Sequence, residues 1–392
     1  MGSINASRES LKILHVLRAP VGGLFRHVVD LASGQAARGH HVGLIVDAST
    51  GAEQAEQALS ALSPLMSLGI TRVPMSRQIG WSDLSAIAHV RQRAAAAAAD
   101  VLHGHGAKGG AYARLAGCDA AVRIYTPHGG SLHYDWSSPA GFVYLMLERL
   151  LIRRTDLFLF ESAYGRHVFR AKLRASPRLS RVVHNGVAAA EFEPICARDD
   201  AADLVFVGEL RFLKGVDLLI QAIALLVREG RRLSAVIVGA GPDRAAFEAQ
   251  VHAQGLGEQV RFAGTMPARA AFPLGRLLVI PSRAESLPYI VLEAAAAGVP
   301  LITTKVGGIA EIFGPDTAAL VGPGDATALA RAIATALGDI MAQRELAARL
   351  RERVRAAFSA ETMTDSVLSA YRTALAQQPR YRPGMVLPAP RS

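Results

Sequence analysis

A chain of 392 residues exceeds what one typical hydrophobic core organises, so two domains are expected. At 51% hydrophobic and 19% charged residues, with mean hydropathy +0.23, it reads as a globular protein with large buried sheets, and no apolar run reaches the roughly 18–20 residues of a membrane span. The net charge of +10 is uneven: residues 1–190 carry 21 Lys/Arg against 12 Asp/Glu, residues 191–392 carry 22 against 21, so an acidic partner would meet the first half, an ordinary soluble surface being the plain alternative.

The start, MGSINASRESLKILHVL, lacks a signal-peptide core and cleavage site. Cys118 and Cys196 have no metal-ligand spacing and read as reduced thiols of a cytoplasmic protein. Apolar, β-branched runs then recur at 11–17, 41–47, 100–106, 121–130, 156–162 and 181–187, most of them separated by amphipathic or Ala-rich segments such as 24–38, 83–99 and 139–154. A second series at 203–210, 234–241, 260–265, 277–282, 300–304 and 318–322 alternates with helical stretches at 216–229, 243–254, 288–297 and 325–337. Near-continuous apolar strands alternating with helices predict parallel sheets covered on both faces, hence two doubly wound α/β domains. The aperiodic segment 188–203 reads as the linker. A helix at 361–376 follows the second domain and is expected to cross back to the first. The Pro- and Arg-rich tail 379–392 reads as flexible. Ligands of such domains bind at the carboxyl ends of the strands, here expected between the domains.

Several strand ends carry candidate chemistry. Gly22 and Gly23 precede the first helix and let backbone approach a ligand, a tight turn into the helix being the alternative. His128 in TPHGG is expected at an exposed strand end, unless it is a core or capping histidine. His103 and His105 are placed in a strand-end loop. With no Asp/Glu or Cys cluster near them in sequence, no metal site is expected. Arg211 and Lys214 in GELRFLKGVD stand where flexible cations neutralise a diphosphate, or they are solvated surface charge. Asp243 in VGAGPDRAAFE is expected to cap a helix. Gly307 and Gly308 mark a further strand-end loop.

The most informative stretch is AESLPYIVLEAAAAGVP, residues 284–300. Glu285 lies in a loop after the apolar run LLVIPS, and Glu293 lies eight residues on, within an Ala-rich helix. Ser286 is expected to cap that helix, with Pro288 in its first turn. A helix start attracts phosphate, and a carboxylate beside it repels phosphate unless it serves hydroxyls or ribose. Hydroxyls together with phosphates point to a nucleotide-sugar.

The series GG loop, HG, NGV, VGEL…KG, VGAGP and E-x7-E resembles the family 4 (group 1) retaining glycosyltransferases, from Lys12 to about Tyr371. The resemblance implies the GT-B fold: two Rossmann-like doubly wound domains facing each other across a cleft. Residues 1–190 would be the acceptor-binding domain, 203–360 the nucleotide-sugar donor domain, and 361–378 the helix that crosses back. It implies that Glu285 lies near the donor sugar's hydroxyls and Glu293 on the nucleotide ribose. Lys214 would neutralise the donor diphosphate, with the amides around Ser286 and Leu287 meeting the phosphates. His128 would face the donor sugar near the reacting centre, and Gly22 and Gly23 would lie close to phosphate and acceptor. One departure stands out: the family often has an Arg where this chain has Glu209, and Arg211, two residues on, is expected to reach the phosphates instead.

The function so implied is metal-independent hexosyl transfer, with retention, from a UDP- or GDP-sugar to a glycan or polyprenyl-linked acceptor, in cell-surface polysaccharide or glycolipid synthesis. No cofactor is expected beyond this donor. The alternatives are a nucleotide-sugar epimerase on the same fold and a non-catalytic nucleotide-sugar-binding subunit. Residues 149–181 carry nine Lys/Arg against two acids, next to apolar residues in PAGFVYLMLERLLIRRTDLF. That pattern fits either an interface to an anionic membrane on the inner face of the plasma membrane or a core helix with a basic outer side. Nucleic-acid binding is not expected, because no aromatic-interleaved basic module is present.

Overall fold

The structure is a computed structural model and describes residues 10–50, 52–117 and 121–378. Cys118 and the tail expected to be flexible at 379–392 lie outside these residues. The chain divides into two compact units. Unit 1 holds the residues up to Glu161, then Arg166–Val183 and the chain from Met363 on; unit 2 holds Ser162–Gly165 and His184–Thr362. The passage thus comes at Val183/His184, and residues 188–201 already belong to unit 2.

In unit 1 strands and helices alternate: β1 (Lys12–Leu17), α1 (Gly22–Ala37), β2 (His41–Asp47), α2 (Ala52–Leu62), β3 (Gly69–Val73), α3 (Ser82–Ala96), β4 (Val101–His105), α4 (Gly106–Leu115), β5 (Val122–Thr126), α5 (Pro139–Leu151), β6 (Leu157–Phe160), α6 (Ala163–Leu173) and β7 (Ser180–Val182). The seven strands form one parallel sheet in the order β3-β2-β1-β4-β5-β6-β7. β1 and β2 are buried at all but their first positions, as strands covered on both faces must be. That is why they read as apolar runs without alternation. β3, α2, α4 and α6 have no counterpart among the sequence-predicted elements. β3 is an edge strand buried only at Val73, too polar to stand out. α4, GAKGGAYARL, carries three glycines that lower its helical propensity; packing, not propensity, makes it a helix.

In unit 2 the order is β8 (Ala202–Val207), α7 (Val216–Arg228), β9 (Ala235–Val238), α8 (Arg244–Ala253), β10 (Val260–Gly264), α9 (Ala268–Ala271), β11 (Gly275–Ile280), α10 (Tyr289–Ala296), β12 (Leu301–Thr303), α11 (Ile309–Phe313), α12 (Ala326–Gly338) and α13 (Ile340–Ala357). Five parallel strands run in the order β10-β9-β8-β11-β12. α7 buries Val216, Leu219, Ile220, Ile223 and Leu226, the 3–4 spacing of one helical face. The strand expected at 318–322 does not form. Val321 makes only an isolated bridge to Thr304, because the six residues before Leu320 close as a 3-10 turn and leave too little extended chain.

The last helix, α14 (Ala360–Ala376), belongs to unit 1 from Met363 on. Its Met363, Val367, Leu368 and Tyr371 are buried in one cluster with Ile13, Val101 and Ile124 of the unit 1 sheet.

Candidate active site

In a doubly wound sheet the connections leave in opposite directions at one point of the strand order, and a crevice opens there at the carboxyl ends of the strands. Unit 1 has that point between β1 and β4, unit 2 between β8 and β11. The sequence-predicted site residues sort onto these two places.

In unit 1, Gly22 opens α1 with φ +68°, and His128 follows β5. Three consecutive residues there lie at positive φ: His128 at +50°, Gly129 at +74° and Gly130 at +32°. A left-handed non-glycine costs roughly 1–2 kcal/mol and persists where surroundings over-determine it. His128 is half-buried rather than exposed as expected.

What surrounds His128 was not foreseen. His103 and His105 are not in a loop. They lie in the central strand β4 and are fully buried. Parallel pairing sets His103 beside His15 of β1, and His27 of α1 joins them, its ring centroid 4.8 Å from that of His128. His15 Nε2 lies 2.8 Å from Gln35 Oε1, His15 Nδ1 lies 2.9 Å from His105 Nε2, and His105 Nδ1 lies 3.1 Å from His128 Nε2. His103 joins the Tyr371 hydroxyl at 2.6 Å and Thr126 Oγ1 at 2.8 Å. Burial disfavours the charged imidazoles: it pulls His15 down to about 4 and His128 to about 3, and holds His103 and His105 well below the usual 6.5. Two trios, His15/His103/His105 and His27/His105/His128, bring ligand atoms within 4.8 Å of one another and could hold a metal ion. These groupings do not show in the sequence, because the partners come from β1, α1, β4 and the β5 loop.

In unit 2, Lys214 and Glu285 meet. Lys214 Nζ lies 2.7 and 2.9 Å from the two carboxylate oxygens, and Ser282 Oγ donates to Glu285 Oε1 at 2.7 Å. The Glu285 side chain is only 8% exposed, so its charge requires this partner. Two glycines permit the geometry. Gly215, at φ +73°, lies so close to Pro281 that a Cβ would sit 2.0 Å from its carbonyl oxygen. Gly307, at φ +58°, meets the Glu285 carbonyl in the same way. The Lys214 loop is clamped from outside. Asp243 occupies the capping position of α8 but makes no cap bond there; it accepts from the Phe212 amide at 2.6 Å instead. Arg283 grips Asp217 with both Nη atoms, at 2.7 and 2.6 Å, bonds the Phe212 carbonyl, and stacks on the Phe212 ring. Neither clamp was legible in sequence, since each joins residues more than 30 positions apart.

Other expected members stand differently. Ser286 does not cap α10: the helix begins at Tyr289 with Pro288 in the capping position and no side-chain cap bond. The loop before it is instead held by the Gly308 amide on the Ser286 carbonyl, 2.6 Å, and by Asn185 Nδ2 on the Leu287 carbonyl, 2.8 Å. Glu293 is half-buried on the second turn of α10. Arg211 is exposed and stands 3.8 Å from Glu209; the structure does not bring it into the Lys214–Glu285 pair. A hollow of about 790 Å³, lined by Cys196, Arg198, Arg276 and Arg344 among others, opens near the starts of β11 and β12, the opposite end of the sheet from Lys214.

The family described as Glycosyltransferase Family 4 matches residues 21–191, and that described as Glycosyl transferases group 1 matches residues 189–357. The chain is 26% identical over 381 residues to the glycogen synthase of Mycobacterium tuberculosis, covering 90% of this chain and 92% of that one. The sucrose-phosphate synthase of Thermosynechococcus elongatus superimposes with TM-score 0.78 at 22% identity, covering 94% and 100% of the two chains. HepE of Anabaena, in complex with UDP and glucose, does so with TM-score 0.77 at 18% identity, covering 93% and 100%.

Proposed function

The chain belongs to the group 1, family 4 glycosyltransferases, and we propose that it moves a hexosyl group from a nucleoside-diphosphate-sugar to a glycan or lipid-linked acceptor, with retention and without a metal. The observation that carries this reading is the Lys214–Glu285–Ser282 constellation at the switch point of unit 2. A buried carboxylate beside a cation and glycine-rich backbone suits a ligand that is sugar at one end and diphosphate at the other. A UDP- or GDP-sugar has that chemistry, and UDP with glucose occupies the HepE structure.

In the proposed reaction the bond from C1 of the sugar to the diphosphate oxygen breaks through an oxocarbenium-like state. The acceptor oxygen bonds to C1 from the same face, and its proton passes to the departing phosphate. Lys214 moves from Glu285 to the diphosphate as charge builds there, and Glu285 turns to the sugar hydroxyls. Glu293 takes the ribose, and the backbone at Ser286 and Leu287 takes the phosphates. His128, neutral, hydrogen-bonds the donor sugar, and Gly22 and Gly23 leave room for the acceptor. Removing one such electrostatic donor costs about 3 kcal/mol, or roughly a hundredfold or more in rate.

The test is transfer from a panel of nucleotide-sugars, with products analysed with and without acceptor. Anomeric retention in the product supports the proposal, and Glu285→Gln with native turnover overturns it. Release of an epimer without acceptor identifies an epimerase. Binding of a donor with no turnover identifies a binding subunit.

For the acceptor side we propose an anionic membrane surface, which fits lipid-linked substrates of glycolipid or polysaccharide synthesis on the inner face of the membrane. No helix among the described residues is long and apolar enough to cross a membrane. On α5, however, Phe142, Val143, Leu147 and Leu150 are exposed, beside exposed Arg149, Arg153 and Arg154. The inner side of α5 is occupied by Glu148, which pairs with buried Arg114 at 2.9 Å, so the apolar face is the outward one. Sedimentation with anionic vesicles at low salt should bring the protein down, and Leu150→Glu should release it. No binding at low salt removes this part of the proposal.

A further inference from the structure

The histidines behind His128 form a directed chain. Gln35 turns its Nε2 to the Tyr371 hydroxyl at 3.5 Å, which leaves its Oε1 to accept from His15 Nε2 at 2.8 Å. With its proton on Nε2, neutral His15 presents a bare Nδ1, which can only accept, so His105 must donate from its Nε2 across 2.9 Å. By the same rule His105 Nδ1 is bare, and His128 donates to it from Nε2 at 3.1 Å. A neutral imidazole carries one proton, so the lone pair of His128 is left on Nδ1. The Tyr371 branch agrees with this polarity: the Tyr371 hydroxyl donates to His103 Nδ1, and His103 Nε2 donates to Thr126.

We propose that Gln35, His15 and His105 are positioning residues that stay neutral and act through this chain, holding His128 in one tautomer, with an Nδ1 acceptor presented to a sugar hydroxyl. The reason for neutrality is the surroundings. The titratable groups facing the chain are His27 of α1, His103 of β4 and Tyr371 of α14. Among the described residues no carboxylate, Lys or Arg bonds His15, His103, His105 or His128. Gln35, His15, His103 and His105 are at most 1% exposed. A proton added to His15, His103 or His105 would sit as an unpaired buried charge, and it would turn one acceptor of the chain into a second donor. The left-handed backbone at His128 supports the same role, because it aims the ring down the chain at a conformational cost. The catalytic consequence rests on the transferase reading above; the tautomer does not.

The test is long-range proton–nitrogen NMR on protein labelled at histidine nitrogens, with His128 assigned by its loss in His128→Gln. The expected result is one neutral tautomer, protonated at Nε2, from pH 8 down to pH 5. Gln35→Leu, three links away, should leave a folded protein in which His128 populates both tautomers. Its kcat should fall about tenfold, the size of losing one hydrogen bond's worth of alignment, with KM little changed. His128 protonated at Nδ1 in the native protein overturns the proposal. So does an unchanged tautomer in folded Gln35→Leu, or one tightly held equivalent of zinc shifting His15, His103 and His105 together. If the tautomer is as expected but His128→Gln transfers sugar at the native rate, the chain stands and the reading of His128 as a sugar-facing group fails.

Discussion

The two switch points are built from opposite materials. At the one in unit 1, imidazoles, an amide and a phenol satisfy one another by hydrogen bonds, and burial keeps the imidazoles uncharged. At the one in unit 2, a lysine and a carboxylate confront each other at 2.7 Å, and backbone comes within van der Waals limits only because Gly215 and Gly307 lack Cβ. The difference teaches how one topology serves two tasks. A neutral set, bonded link to link with one open end, orients a group and resists protonation. A charged pair held together by mutual need can be pulled apart by a ligand that brings both a diphosphate and hydroxyls.

The contrast can be broken most forcefully from behind. Unit 1 does hold a buried charge pair, but it bonds none of these histidines. Arg114 and Glu148 are both nearly inaccessible, and Glu148 also accepts from Tyr125 and Ser131. Arg114→Ala leaves Glu148 as an unpaired buried charge and should cost about 3–5 kcal/mol of stability in denaturant melts. The pair Arg114→Met with Glu148→Met should recover most of it. In unit 2, Lys214→Ala should reduce transfer roughly a hundredfold or more, about 3 kcal/mol. Because it also strands Glu285, the double variant Lys214→Met, Glu285→Gln should regain thermal stability and remain inactive. A double variant with native transfer removes the charged pair from the mechanism.

Titration sharpens the contrast further. His15 and His128 have folded values depressed by burial to about 4 and about 3, against 6.5 ordinarily. The unfolded chain therefore binds protons that the folded one refuses. Stability is intact above pH 6.5 and falls as pH drops from 6.5 towards 4, by up to about 1.4 kcal/mol per pH unit for each histidine. Glu311 in unit 2 behaves otherwise. Burial raises its value, but hydrogen bonds from His184 and from the amides of Ala163 and Tyr164 outweigh burial and lower it below 4.5. Its contribution is present above pH 4.5 and is lost only as pH falls below that. Melts across pH 4–8 should therefore show a decline beginning near 6.5, flattened by His15→Gln and untouched by Glu311→Gln. The smallest effect is expected at Arg211, exposed and loosely paired with Glu209. Arg211→Ala should change transfer by less than about fivefold, or about 1 kcal/mol. A hundredfold loss would show that Arg211 swings onto the phosphates when donor binds.

Legibility followed sequence distance. The two doubly wound units, most of their strands and the segment 284–300 could be read directly, because burial on both faces writes itself as uninterrupted apolar runs. Lys214 and Glu285 could be named, but their contact spans 71 positions, as do the bonds from Arg283 to the Lys214 loop at similar range. Ser286 does not cap α10, and Asp243 stands at the N-cap of α8 but bonds elsewhere, for a related reason: residue type gives a local preference, and a distant amide or a proline can override it. His103 and His105 read as a loop in the sequence because a polar HGH run does not resemble a buried strand until its hydrogen-bond partners are known.

By itself, the order of the amino acids determined the α/β architecture, the glycosyltransferase resemblance, and the residue types that can carry a sugar, a diphosphate and a charge. These follow from local periodicity and spacing, which depend on neighbours along the chain. Tertiary structure alone decided which of those residues meet: that Glu285 closes on Lys214, that Arg211 stays outside, and that four histidines from β1, β4 and the β5 loop align behind a single glutamine. The physical reason is that buried polar groups must find partners wherever folding brings them, and parallel strand order, not sequence order, brings them together.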